Sequence, residues 1–136
     1  MNILVIDGQG GRIGKEVIER IKAENLSCSI TAVGTNTLAT SAMLKGGADQ
    51  AATGENAVVV NARSADLIIG PIAIVIADSL LGEITPKMAV AVGQSPAKRI
   101  LIPVGLCNNT VAGVPDFSVK ALLGSVVEQV KNFLAS

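Results

Sequence analysis

Short aliphatic runs alternate with amphipathic segments along the chain, which predicts strands separated by helices. The first run, residues 2–7, leads into a glycine-rich turn at residues 8–14. The next segment, residues 15–23, has Val17, Ile18 and Ile21 at helical spacing among charged residues. The pattern therefore predicts a strand, a tight turn and a helix in that order.

Later segments repeat the alternation. Asn36 or Thr37 is a capping residue for the second helix, and Pro86 after Thr85 is typical of a helix start. The run at residues 72–81 is so apolar that a continued strand is an alternative to the helix we favour. Further strands are predicted at residues 29–34, 48–52, 66–70 and 99–104, and further helices at 38–44, 56–63, 72–81, 86–94 and 118–134.

Strands separated by helices pair in parallel through right-handed crossovers. We therefore expect a single α/β domain over residues 1–136. Its fold is Rossmann-like, a doubly wound, mainly parallel sheet of about five or six strands with helices on both faces. Asp7 and residues 34–36, 70–71 and 105–109 would then line the rim at the carboxyl ends of the strands, where such sheets bind ligands.

The glycine-rich turn resembles two phosphate-binding patterns without matching either. Gly8, Gly10 and Gly14 approach the dinucleotide fingerprint Gly-x-Gly-x-x-Gly, with one extra residue before the last glycine. Gly14 and Lys15 approach the phosphate loop, but Glu16 stands where a hydroxyl would hold magnesium, which disfavours triphosphate hydrolysis. We predict a site for a small phosphorylated ligand, a nucleotide or an NADP-like dinucleotide. The alternative is a purely structural turn.

The second half of a dinucleotide site would lie at the end of the second strand. NAD sites usually place an acidic residue there, but residues 34–36 contain none. A phosphorylated ribose held by Thr35, Asn36 and Arg12 fits this composition, and so does a smaller ligand. The cofactor is therefore left unassigned, with NADP or another nucleotide as candidates. Asn36 has a plainer interpretation as a helix cap. The candidate cofactor-binding residues are Gly8, Gln9, Gly10, Gly11, Arg12, Ile13, Gly14, Thr35, Asn36 and Gly70.

A second polar group, Cys107-Asn108-Asn109, follows the last predicted strand. It could contact a ligand, but Asn tolerates positive φ and suits a hairpin turn between residues 100–106 and 110–114. Cys107 has no histidine to activate it, because the chain contains none. No catalytic residues are assigned, and histidine-dependent hydrolysis and zinc chemistry are not expected.

The composition of the chain limits the classes of partner that we expect it to bind. The 11 basic and 11 acidic residues cancel, so neither nucleic acid nor a membrane surface is an expected partner. Cys28 and Cys107 lack metal-site spacing, and the amino terminus has no signal pattern, so we expect a reduced, cytoplasmic protein. Only 16 % of the residues are charged, against an average near 25 %, which favours a homo-oligomer with apolar surface buried between subunits.

Three segments carry a family resemblance: the loop at residues 7–15, Ala65 to Pro71, and Ile102-Pro103-Val104-Gly105. Through them the chain resembles a family of small uncharacterised bacterial Rossmann-like proteins, a domain of unknown function. The resemblance implies the fold and no activity. Two functions therefore stay open: a nucleotide-binding enzyme or sensor, and a non-catalytic assembly module pairing through helices 72–81 and 118–134.

Overall fold

The computed structural model describes residues 1–106, 108–115 and 117–136. Within these ranges, the strands form a single five-stranded, all-parallel sheet in the order β3-β2-β1-β4-β5. The order reverses between β1 and β4, so the crevice between their carboxyl ends is the topological switch point. The strands are β1 Asn2–Asp7, β2 Ser29–Gly34, β3 Gln50–Thr53, β4 Leu67–Pro71 and β5 Lys98–Ile102.

Helices cover both faces of the sheet, because alternate residues of each strand point to opposite sides. In β1, Ile3 and Val5 pack against α1, α2 and α5, whereas Leu4 and Ile6 pack against α3 and α4. The predicted doubly wound, Rossmann-like architecture is confirmed. The helices are α1 Arg12–Ala23, α2 Thr37–Lys45, α3 Glu55–Ser64, α4 Pro86–Gly93 and α5 Val119–Ala135.

The predicted helix over residues 72–81 is wrong. Only a single 3-10 turn, Ile72–Val75, forms there. The chain then doubles back, and the N–H of Asp78 donates to the carbonyl of Ile84 at 2.7 Å. Asp78, Leu80 and Leu81 all have positive φ, between 56° and 65°, a conformation incompatible with a right-handed helix. We call residues 78–84 the β4-α4 loop.

The predicted hairpin at residues 100–114 is also wrong, since none of the described residues between 108 and 114 lies in a strand. A turn remains: the N–H and Nδ2 of Asn109 both donate to the carbonyl of Leu106, at 2.9 and 2.8 Å. Cys107 lies outside the described residues. No helix in the described ranges is long and apolar enough to cross a membrane.

Candidate functional site

The turn between β1 and α1 has a shape that only glycine allows at its last position. Gly11 precedes α1 with φ at +69°, and a Cβ there would lie 2.6 Å from the Cα of Ala39 on α2. Its N–H closes the turn on the carbonyl of Gly8 at 2.9 Å. The glycine thus combines a left-handed backbone with close packing of the turn against a neighbouring helix.

Asp7 fixes the two ends of this turn. Its Oδ1 accepts the N–H of Gly8 and its Oδ2 accepts the N–H of Gly14, both at 2.8 Å. The residue is only 6 % exposed. Burial raises the pKa of Asp7 above its usual value, although these two N–H groups lower it in part, and nearby Glu83 raises it further. Asp7 therefore stabilises the conformation of the turn from its buried side.

Three backbone N–H groups of the turn are available to donate hydrogen bonds to a ligand. Those of Gly10, Arg12 and Ile13 have no hydrogen-bond acceptor among the described residues. The last two belong to the first turn of α1, where the helix dipole favours an anion. They border a cavity of about 150 Å³ at the switch point, lined by residues 7–13 and by Pro71, Leu80, Val104 and Gly105.

A carboxylate that sequence analysis missed lies on the other side of the turn. Oε1 of Glu83, in the β4-α4 loop, accepts hydrogen bonds from the N–H of Gln9 at 2.9 Å and from the Thr35 hydroxyl at 2.6 Å. It also accepts Nδ2 of Asn36 at 2.8 Å. Partial desolvation raises the pKa of Glu83, but the bonds from Thr35, Gln9 and Asn36 outweigh it and leave the pKa lowered.

This contact corrects the expectation that no acid would lie at the end of β2. Glu83 is 48 residues from Thr35 in sequence, so no local pattern links them. The same contact explains why residue 8 is a glycine. A Cβ there would lie 2.8 Å from Oγ1 of Thr35 and 3.2 Å from Oε1 of Glu83. Neither signal is visible without the fold.

The other predicted site residues divide into two groups. Thr35 and Gln9 share the carboxylate of Glu83, and Nδ2 of Asn36 donates to the carbonyl of Gln9 at 2.9 Å. The predicted cap is confirmed, since Oδ1 of Asn36 accepts the N–H of Ala39 at the start of α2. Gly70 lies against β1 instead, where a Cβ would approach the carbonyl oxygen of Ile6 to 2.5 Å. The side chain of Arg12 is 88 % exposed and pairs loosely with Glu16 at 3.8 Å.

The site therefore offers hydrogen-bond donors and two carboxylates. Among the described residues, no group of histidine, cysteine or acidic side chains could hold a metal ion. The described thiol, Cys28, precedes β2 at the opposite end of the sheet, and burial raises its pKa. The arrangement is suited to binding an anion, and it assigns no nucleophile.

Comparison with known proteins identifies the family of this chain. No curated protein matches the sequence. One similar solved structure is a dodecameric FMN-dependent UbiX-like decarboxylase from Escherichia coli O157:H7, at 12 % identity and a TM-score of 0.48, covering 100 % of this chain and 95 % of that one. A family model, the domain of unknown function DUF3842, matches residues 2–135. Because this match spans nearly the whole chain, the protein belongs to the DUF3842 family.

Proposed function

We propose that the β1-α1 turn binds the phosphate of a nucleotide or of another small phosphorylated ligand. The observation that carries the proposal is the set of N–H groups of Gly10, Arg12 and Ile13, which have no acceptor in the described structure and border a cavity at the switch point. Helix N-termini in this position bind phosphate because their N–H groups and dipole both favour negative charge.

The size of the cavity limits what it encloses. At about 150 Å³ it is smaller than the roughly 300–1,000 Å³ of pockets that surround a whole organic ligand. It suits a phosphate group, with the rest of the ligand lying along the rim. The exposed guanidinium of Arg12, next to the turn, is a source of positive charge for such a ligand.

The proposal can be tested with a size-matched pair of variants at Gly10 that differ in charge. A Cβ at this position would meet nothing within 4 Å, so we expect both Gly10→Asp and Gly10→Asn to keep the fold. Thermal stabilisation is measured with NAD, NADP, FAD, FMN, ATP, GTP, S-adenosylmethionine and sugar phosphates. We expect a selective shift that the aspartate abolishes by repelling the phosphate, whereas the asparagine of equal size retains most of it.

Two results would contradict the proposal. One is no shift with any phosphorylated compound. The other is a shift of equal size in the wild type and in Gly10→Asp, since a ligand bound elsewhere would not respond to the charge. Among the dinucleotides of this panel, we expect NADP to give the largest thermal shift.

A second candidate function is self-assembly. Leu38 is 67 % exposed and Leu81 is 97 % exposed. Each lies two residues from one partner of the Asn36–Glu83 hydrogen bond, so both belong to the same rim. Exposed apolar side chains favour burial between subunits, and light scattering of the purified protein should show a homo-oligomer that Leu38→Ser with Leu81→Ser weakens. A monomer in the wild type would exclude this candidate.

A further inference from the structure

Three neutral donors converge on one oxygen atom beside the proposed phosphate site. They are the backbone N–H of Gln9, the hydroxyl of Thr35 and the amide of Asn36, at 2.9, 2.6 and 2.8 Å from Oε1 of Glu83. A backbone N–H, a hydroxyl and an amide are donors that commonly hold a phosphate or carboxylate oxygen in proteins. We call this group the three-donor position.

We propose that the carboxylate of Glu83 is a built-in competitor, which occupies the three-donor position until a second anionic group of the ligand displaces it. The inference rests on the proposed function, because it assumes that the first anionic group binds at the β1-α1 turn. It also names the class of ligand: a nucleotide or similar compound with two anionic groups, such as one whose ribose carries a second phosphate.

The attachment of Glu83 suits an exchangeable group. All three hydrogen bonds use Oε1, and none of the described residues donates to Oε2. Glu83 is half-buried, and no cation is paired with it among the described residues. An incoming phosphate oxygen would satisfy the same three donors, so displacement leaves no buried donor unpaired.

The backbone that carries Glu83 can stay in place while the side chain moves. The β4-α4 loop closes on itself through the Asp78–Ile84 hydrogen bond at 2.7 Å and a second bond from the N–H of Ile84 to the carbonyl of Ser79 at 3.2 Å. Leu80 is 9 % exposed and anchors the loop beside Gly8. Displacement therefore requires rotation of one side chain and no unfolding.

Electrostatics favour the exchange. Glu83 and the buried Asp7 flank the same turn, and their mutual repulsion contributes to the raised pKa of Asp7. A carboxylate at this position weakens the binding of any anion nearby, and its departure removes that repulsion. Arg12, whose loose ion pair with Glu16 spans 3.8 Å, gains a second anion to pair with.

The test uses two probes that differ by one phosphate, adenosine 5′-monophosphate and adenosine 2′,5′-bisphosphate, measured by titration calorimetry. Because Glu83→Ala has no carboxylate to displace when the second phosphate binds, it should bind the bisphosphate at least about tenfold more tightly than the wild type. The monophosphate should change less than about threefold. Glu55→Ala is the matched control, because Glu55 likewise accepts a threonine hydroxyl, from Thr85 at 2.6 Å, away from the turn.

Unchanged or weaker bisphosphate binding by Glu83→Ala would overturn the inference, because Glu83 would then be structural or would itself hold the ligand. If that result comes with monophosphate binding that Gly10→Asp abolishes, the proposed function survives. If neither probe binds any variant, the inference fails, and the proposed function fails with it only when the wider panel of phosphorylated compounds also gives no thermal shift. Glu83→Gln, which keeps the shape and removes the charge, covers the case in which Glu83→Ala does not fold, and it too must gain bisphosphate affinity.

Discussion

Replacing Gly11 by alanine should destabilise the protein through two separate effects. At φ +69° the alanine must take up the left-handed backbone conformation, which costs about 1–2 kcal/mol. Its Cβ would also lie 2.6 Å from the Cα and 2.7 Å from the carbonyl oxygen of Ala39. These are backbone atoms of α2, so they cannot rotate away, and forcing the helix aside costs roughly another 1–3 kcal/mol.

Part of this cost is offset in the unfolded state, where alanine has less conformational freedom than glycine and recovers about 0.4–1 kcal/mol. We therefore expect Gly11→Ala to lower the free energy of unfolding by about 1–4.5 kcal/mol. The measurement is urea unfolding followed by far-ultraviolet circular dichroism, because the chain has no tryptophan or tyrosine for fluorescence.

The adjacent Gly10→Ala is the matched control. A Cβ at Gly10 meets nothing within 4 Å, and its φ is outside the left-handed region. The free energy of unfolding of this variant should stay within about 0.5 kcal/mol of the wild type. Equal losses in the two variants would refute the reasoning, since they would show that neither the φ of Gly11 nor its contact with α2 restricts the side chain.

Three further predictions concern other parts of the chain. Gly124→Ala in the middle of α5, where a Cβ meets nothing within 4 Å, should raise the free energy of urea unfolding by about 0.5–1 kcal/mol through helix propensity; a loss would contradict open space there. Leu80→Ala should cost about 2 kcal/mol and Leu81→Ala less than about 0.5, because the two neighbours are 9 % and 97 % exposed, and equal thermal shifts would contradict this orientation of the β4-α4 loop. The pKa of Glu83 is lowered in the folded state, so its charged form stabilises the protein. This stabilisation is present above the ordinary glutamate pKa and is lost as the pH falls through the folded-state pKa. The stability advantage of the wild type over Glu83→Gln should therefore shrink on acidification in a series of urea titrations, and an advantage that grows towards acid would reverse the sign of the argument.

Local patterns were sufficient for most of the elements. The strand at Ser29–Gly34 was predicted to the residue, and Asn36 and Thr85 cap α2 and α4 as expected. Each of these signals lies within a few residues of the structure that it specifies: a run of β-branched residues, or a side-chain oxygen that reaches an N–H three positions ahead. The alternation of such elements was also enough to predict the parallel, doubly wound sheet.

The sequence by itself thus determined the strand-turn-helix at the amino terminus, the fold class and the candidate phosphate turn. Only the tertiary structure decided what surrounds that turn. Glu83 reaches Gln9 across 74 residues of sequence, and Gly70 packs closely against the backbone of Ile6 in the neighbouring strand. The apolar run at residues 72–81 ends in a reversed loop with left-handed residues, in which Leu80 is buried and Leu81 is exposed. Hydrophobic periodicity does not distinguish this outcome from a helix, because both bury apolar side chains.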